Sequence, residues 1–159
     1  AIPSFDIQKR PLLNHYNIMV STEGILVPVQ SLEEILVDKL IALAYRARRI
    51  KPRDIWDIVW IKQRGVVLSE ALFEQKLAAR SKQKQEFIEM LKVQLDKLRQ
   101  DDEVHDDFNK EMSRFIPQQI KERTIDNPDY WFYVQTEVCD VANSLINKSL
   151  VKNKFDMGL

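Results

Sequence analysis

The sequence predicts an α+β fold that is mostly helical, with two or three short strands at its start followed by helices. Three observations carry this expectation. β-Rich runs are confined to the first thirty residues, a helix-capping pair stands at Ser31 and Glu34, and apolar residues recur at spacings of three and four from Ile35 to Ile146.

Taken in order, Ser4 to Gln8 alternates apolar and polar residues as a strand does, which sends Asp6 to the face opposite Phe5 and Ile7. Tyr16 to Val20 and Ile25 to Val29 are β-rich and are separated by Ser21, Thr22, Glu23 and Gly24, the pattern of a hairpin with a four-residue connection. Pro28 lacks an N–H and therefore suits an edge. Ser31 and Glu34 have capping-box spacing, so a helix is expected to begin near Leu32. At about 100° per residue, Ile35, Leu36, Leu40, Leu43 and Ala47 share one side of it, with Lys39 projecting among them and Arg46 pointing nearly the same way. A lysine in an apolar stripe must snorkel to the edge, pair with an acid, or reach a cleft that holds an anion.

Pro52 suits the first turn of a second helix. The run from Arg53 to Gln63 then places Asp54, Asp57, Ile58 and Ile61 on one face. Two carboxylates thus meet near a helix N-terminus. Their structural reading is dipole stabilisation combined with a Lys39–Asp54 pair or an i,i+4 pair between Arg53 and Asp57. Beyond Gly65, Ser69 is placed to cap a helix to about Ala79. Helical spacing returns with Phe87, Ile88, Leu91, Leu95 and Leu98, and again with Val104, Phe108, Met112 and Phe115. Asn127 and Pro128 start a last long helix with a stripe of Trp131, Val134, Val138, Val141, Leu145 and Ile146.

Composition narrows the class. The chain has 159 residues and 45% hydrophobic content, enough for a buried core. No apolar run approaches the roughly 20 residues of a membrane helix, and no signal-like start is visible, so a cytoplasmic location is expected. The single cysteine, Cys139, falls in an apolar helical run and reads as inert packing. Net charge is zero, but residues 1–100 carry 17 Lys and Arg against 12 Asp and Glu, while residues 101–159 carry 7 against 12. The basic excess is densest at Arg46, Arg48, Arg49, Lys51 and Arg53. Such a turn suits a nucleic-acid backbone or a triphosphate, and equally a solvated helix end.

The pattern S-L-E-E-I-L-x-x-K-L-x-A-L-x-x-R followed by P-R-D-x-x-D-I-x-x-I, over residues 31–61, resembles the later half of the AbiEii/AbiGii family of nucleotidyltransferase-like toxins. These belong to bacterial abortive-infection and toxin–antitoxin systems. The resemblance implies that Lys39 meets substrate phosphates and that Asp54 is the acid of the R-D-x-x-D motif, completed by Arg53 and Asp57, with Arg46 beside them on the substrate side. It also suggests Asp6 as a third, metal-binding carboxylate on the sheet. Residues 1–65 would be the C-terminal part of a nucleotidyltransferase-like domain and residues 66–159 a helical domain. Mg²⁺ and a nucleoside triphosphate are implied for the intact protein, as are a cognate antitoxin and an RNA acceptor as candidate partners.

The departures are equally specific. Enzymes of this kind hold the triphosphate with a Gly-Ser turn and two metals with an Asp-x-Asp pair. Gly24, Gly65 and Gly158 are not followed by serine, and no two aspartates stand two residues apart. The chain is therefore expected to be the C-terminal portion of a longer protein, inactive alone and with no cofactor bound. The alternative is a non-enzymatic helical module that binds a protein or RNA through the basic turn 46–53.

Three further features have plainer readings. The acids Asp101, Asp102, Glu103, Asp106 and Asp107, with His105, read as a solvated helix start rather than a metal site. Tyr130, Trp131, Phe132 and Tyr133 read as core and edge packing rather than a base-stacking platform. His15 and His105 are far apart in sequence and lack the neighbours of a nucleophilic triad.

Overall fold

A computed structural model of the protein describes residues 4–13 and 24–156, with side chains through residue 147. The described elements are β1 (Ile7–Pro11), β2 (Leu26–Gln30), α1 (Leu32–Tyr45), α2 (Pro52–Gln63), α3 (Glu70–Ala79), α4 (Lys84–Gln100), α5 (Asp102–Met112), α6 (Gln118–Lys121) and α7 (Tyr130–Asp156). This is the mostly helical α+β architecture expected.

The strands differ in detail from expectation. β1 pairs antiparallel with β2, with Ile7 opposite Gln30 and Pro11 opposite Leu26. The first strand begins at Ile7 rather than Ser4 because the preceding amides are diverted. Phe5 and Asp6 each donate a backbone N–H to the Glu34 carboxylate at 2.8 Å, and Asp6 returns its carbonyl to the Ser31 amide at 3.0 Å. The run Tyr16 to Val20 lies outside the described residues, and among those described β2 is partnered by β1. Among the described residues Pro28 is paired on one side only, opposite Lys9.

α1 starts where its cap dictates, with the Ser31 hydroxyl accepting the Glu34 amide at 3.1 Å. The Glu34 side chain does not close the box, because it holds Phe5 and Asp6 instead. Pro52 opens α2 at a position where a missing N–H costs nothing. Gly65, at φ +75°, ends it in the left-handed turn that glycine adopts without Cβ strain. Ser69 caps α3 and Asp101 caps α5, its carboxylate accepting the Glu103 amide at 3.0 Å. The acidic run at 101–107 thus begins as a helix cap. The short α6 has no counterpart in the apolar pattern of the sequence.

α1 packs chiefly on α4 and also touches α2 and α3, while α2 packs on α5 and α7. Leu36, Leu40 and Ala44 of α1, Ile58 of α2, Phe73 of α3, Phe87 and Leu91 of α4 and Val138 of α7 are fully buried in one continuous apolar cluster. The core runs uninterrupted past residue 65. Phe73 and Phe87 meet at 4.9 Å between ring centroids, fixing α3 against α4. Among the final aromatics, Trp131 packs on Phe108 and stacks on His105, whereas Phe132 is 74% exposed. These are core and edge positions. Cys139 is buried in α7.

Candidate functional site

The link between α1 and α2 brings together most of the charged residues singled out in the sequence. α1 delivers Lys39 and, two turns later, Arg46; the first turns of α2 deliver Asp54 and Asp57. Lys39 Nζ stands 2.8 Å from Asp54 Oδ1 and 2.7 Å from Asp57 Oδ2. Arg46 Nη2 lies 3.0 Å from the second Asp54 oxygen, Oδ2. That approach compensates charge without the alignment of a hydrogen bond, so Asp54 Oδ2 is buried with no hydrogen-bond partner among the described residues. The Asp54 side chain is 8% exposed and that of Lys39 27%, which leaves the ammonium reachable from solvent. Burial alone would lower the Lys39 pKa, but hydrogen bonds to Asp54 and Asp57 outweigh it and hold the ammonium above its ordinary value.

The proposed i,i+4 pair between Arg53 and Asp57 does not form. Asp57 is taken by Lys39, and Arg53 turns to α5, with its Nε 3.4 Å from Glu111 and its guanidinium 3.8 Å over the Phe115 ring. Arg49 also reaches α5, pairing with Asp107 and, at 2.9 Å, with Glu111. Of the five cations of the basic turn, Arg46, Arg49 and Arg53 are therefore committed to internal pairs. Arg48 and Lys51 are exposed, and neither makes an ion pair among the described residues.

Asp6 is placed differently. Its backbone is fixed at the N-terminal end of α1 by Ser31 and Glu34. Glu34 and Lys39 are separated by roughly 140° around the helix at 3.6 residues per turn. No contact among the described residues brings Asp6 to Lys39 or Asp54.

The match that decides the family is to a model described as nucleotidyl transferase AbiEii toxin, type IV toxin–antitoxin system, over residues 2–136. The chain belongs to the AbiEii family. No curated protein and no solved structure matches it. Membership makes nucleotidyl transfer from a nucleoside triphosphate the family activity, with an antitoxin as the family's counterpart. Among the described residues no helix is long and apolar enough to cross a membrane.

Nucleotidyl transfer ordinarily employs a divalent metal. Among the described residues of this AbiEii chain, no three His, Cys, Asp or Glu side chains form a group that could hold one. Asp54 and Asp57 are charge-matched by Lys39 and Arg46, so these residues do not by themselves fit a metal centre.

Two features escaped the sequence. Lys76 of α3 is 1% exposed and pairs with Glu34 at 2.5 Å and Asp38 at 3.0 Å, while Arg80 one turn on pairs with Asp38 at 2.8 Å. The i,i+4 spacings of Glu34 with Asp38 and of Lys76 with Arg80 were the available signal. The second is a cavity of about 480 Å³ between α2 and the α5–α6 connection, walled by Trp56, Trp60, Phe115 and Ile120 with Arg53 and Asp57 at its polar side. Arg53, Asp57 and Trp60 at i, i+4 and i+7, with Trp56 alongside, share one face of α2, a stripe that the inward-facing isoleucines overshadowed.

Proposed function

We propose that Lys39, Arg46, Asp54 and Asp57 form one wall of a nucleotidyltransferase site. The observation that carries this reading is the Lys39 ammonium held between the two acids of the R-D-x-x-D motif while one Asp54 oxygen lacks a hydrogen bond. In this assignment Lys39 and Arg46 offer positive charge to the triphosphate, and Asp54 Oδ2, buried behind Arg46 until that side chain turns to the phosphates, then accepts the proton of the acceptor hydroxyl. The hydroxyl oxygen then bonds to the α-phosphorus and pyrophosphate leaves. Asp57 keeps Lys39 aimed. Asp6 would contribute only by joining this wall from the strand side. The Gly-Ser turn and Asp-x-Asp pair absent from the sequence would have to come from elsewhere, so this chain alone is expected to bind nucleotide without turning it over.

The test is calorimetric titration of the chain with each of the four nucleoside triphosphates and with inorganic tripolyphosphate. Lys39→Met should remove binding while lowering the thermal midpoint by only a few degrees, because the lysine is partly solvated. Retained affinity together with a steep loss of stability would mark the cluster as a structural tie between α1 and α2.

A second reading is favoured by the exposed Arg48 and Lys51, which make no ion pair among the described residues. As a docking module, the basic turn would lose a protein or RNA partner on Arg48→Glu with Lys51→Glu, with folding intact. Arg49 is a poor site for that test, since its reversal also breaks the link to α5.

A further inference from the structure

We propose that the cavity beside Asp57 seats an unpaired nucleobase whose phosphates reach Lys39; this inference rests on the nucleotide-transfer reading above. Its volume of about 480 Å³ is within the range of small-molecule sites, and Trp56, Trp60 and Phe115 give it aromatic walls beside the aliphatic Met112, Ile116 and Ile120. Trp60 is 40% and Phe115 56% exposed, so both rings present aromatic surface to a ligand entering the cavity. Each ring has one face covered by a guanidinium, Arg64 at 3.9 Å over Trp60 and Arg53 at 3.8 Å over Phe115. The rings are thereby held in place, which suits them to stack on a planar ligand.

Asp57 connects this cavity to the charged cluster. One of its oxygens takes Lys39 at 2.7 Å, and its side chain, 42% exposed, also lines the cavity. A partly exposed carboxylate beside aromatic walls can accept an N–H from a base edge, and all four RNA bases carry such a donor on their Watson–Crick edge. An aliphatic ligand would leave this acceptor unused. A ligand planar at one end, N–H-bearing at its edge and anionic at the other end meets all three features, and a nucleotide has that form. The same chemistry is presented by a free mononucleotide and by the unpaired end of an RNA strand.

The experiment titrates the full chain with inorganic tripolyphosphate, with the four nucleoside triphosphates and with short single-stranded oligoribonucleotides, following tryptophan fluorescence and heat. Base-bearing ligands should quench fluorescence and bind more tightly than tripolyphosphate. Trp60→Ala and Phe115→Ala should each weaken them at least about fivefold, the lower end of a stacked base, and leave tripolyphosphate affinity unchanged. Both positions are substantially exposed, so folding should survive. Ile120→Trp, which fills the cavity without adding charge, should have the same effect and stands in for either alanine variant that fails to fold. Response by mononucleotides alone or by oligonucleotides alone identifies the source, and either supports the cavity. Lys39-dependent binding of triphosphates that ignores Trp60, Phe115 and Ile120 would overturn the cavity proposal and spare the phosphate reading. Absence of binding by every ligand would overturn both.

Discussion

Replacing Lys76 by methionine is the sharpest test of how this fold is tied together. The lysine is 1% exposed and its principal partner, Glu34, is fully buried. Removing one member of a buried ion pair costs about 3–5 kcal/mol, because the other charge is left in a low-dielectric site. Glu34 keeps two backbone donors at 2.8 Å, from Phe5 and Asp6, which places the expected loss at the lower end, about 3 kcal/mol. For a chain of this size that corresponds to a fall of roughly 6–12 °C in thermal midpoint. Methionine fills a similar volume, so little of the effect should come from a cavity. The double variant Lys76→Met with Glu34→Gln should recover part of the loss, since the unpaired charge is gone.

The pH dependence gives the same test a sign. Burial pushes the Glu34 carboxyl up, but the Lys76 hydrogen bond, the Phe5 and Asp6 amides and the Lys76 charge together hold it below its usual value. Its contribution is therefore present above the unfolded carboxylate pKa and lost as pH falls through the lower folded value. Without Lys76 the burial effect should dominate and raise that pKa, so the charged form becomes a liability at neutral pH. The stability gap between wild type and Lys76→Met should narrow on acidification, as measured by urea unfolding at a series of pH values. A loss below about 1 kcal/mol, or a gap independent of pH, would refute the view that Lys76 neutralises Glu34.

Two other outcomes follow from the same reasoning. The folded pKa of Lys39 is raised above the ordinary lysine value of 10.5, so its pairing should stabilise fully below the unfolded pKa and be lost as pH rises through the folded one. The midpoint difference between wild type and Lys39→Met should thus hold steady through neutral pH and close only in strong alkali. Ser31→Ala removes the hydroxyl that accepts the Glu34 amide at 3.1 Å and should cost about 1 kcal/mol in chemical denaturation, with no change in helical content at low denaturant.

The sequence made the helices legible because their boundaries are set locally. Ser31, Pro52, Ser69 and Asn127 each act within one turn, and apolar spacing identifies the inward faces without knowledge of what they meet. The Lys39–Asp54 contact was legible for a related reason: a cation on an apolar stripe needs an acid, and the next helix opens with two. Arg53 shows where that logic stops. An i,i+4 partner was available in Asp57, yet Lys39 occupied it from another helix, and Arg53 gained Glu111 and the Phe115 face about sixty residues away. Competition of this kind has no local signature. The same holds for Glu34, whose capping-box position concealed that its carboxylate serves the two amides just before β1 and a lysine from α3.

These displaced partners reveal the organisation of α1. At 3.6 residues per turn, Glu34 and Asp38 lie on one face, and Lys39 and Arg46 lie roughly 100–140° around the helix. The acidic face receives Lys76 and Arg80 of α3; the basic face receives Asp54 and Asp57 of α2. Beyond the basic face, on the side of the helix away from Glu34 and Asp38, runs the apolar stripe of Leu36, Leu40 and Leu43, which fixes how far α1 can rotate. A rotation that loosened Lys39 from α2 would drive Glu34 out of its buried pair. The partly solvated cluster proposed to meet nucleotide is thus held in register by a second cluster whose central pair, Lys76 and Glu34, is dry, and Lys76→Met should weaken ligand binding at Lys39 although Lys39 pairs with acids of α2 and Lys76 with acids of α1.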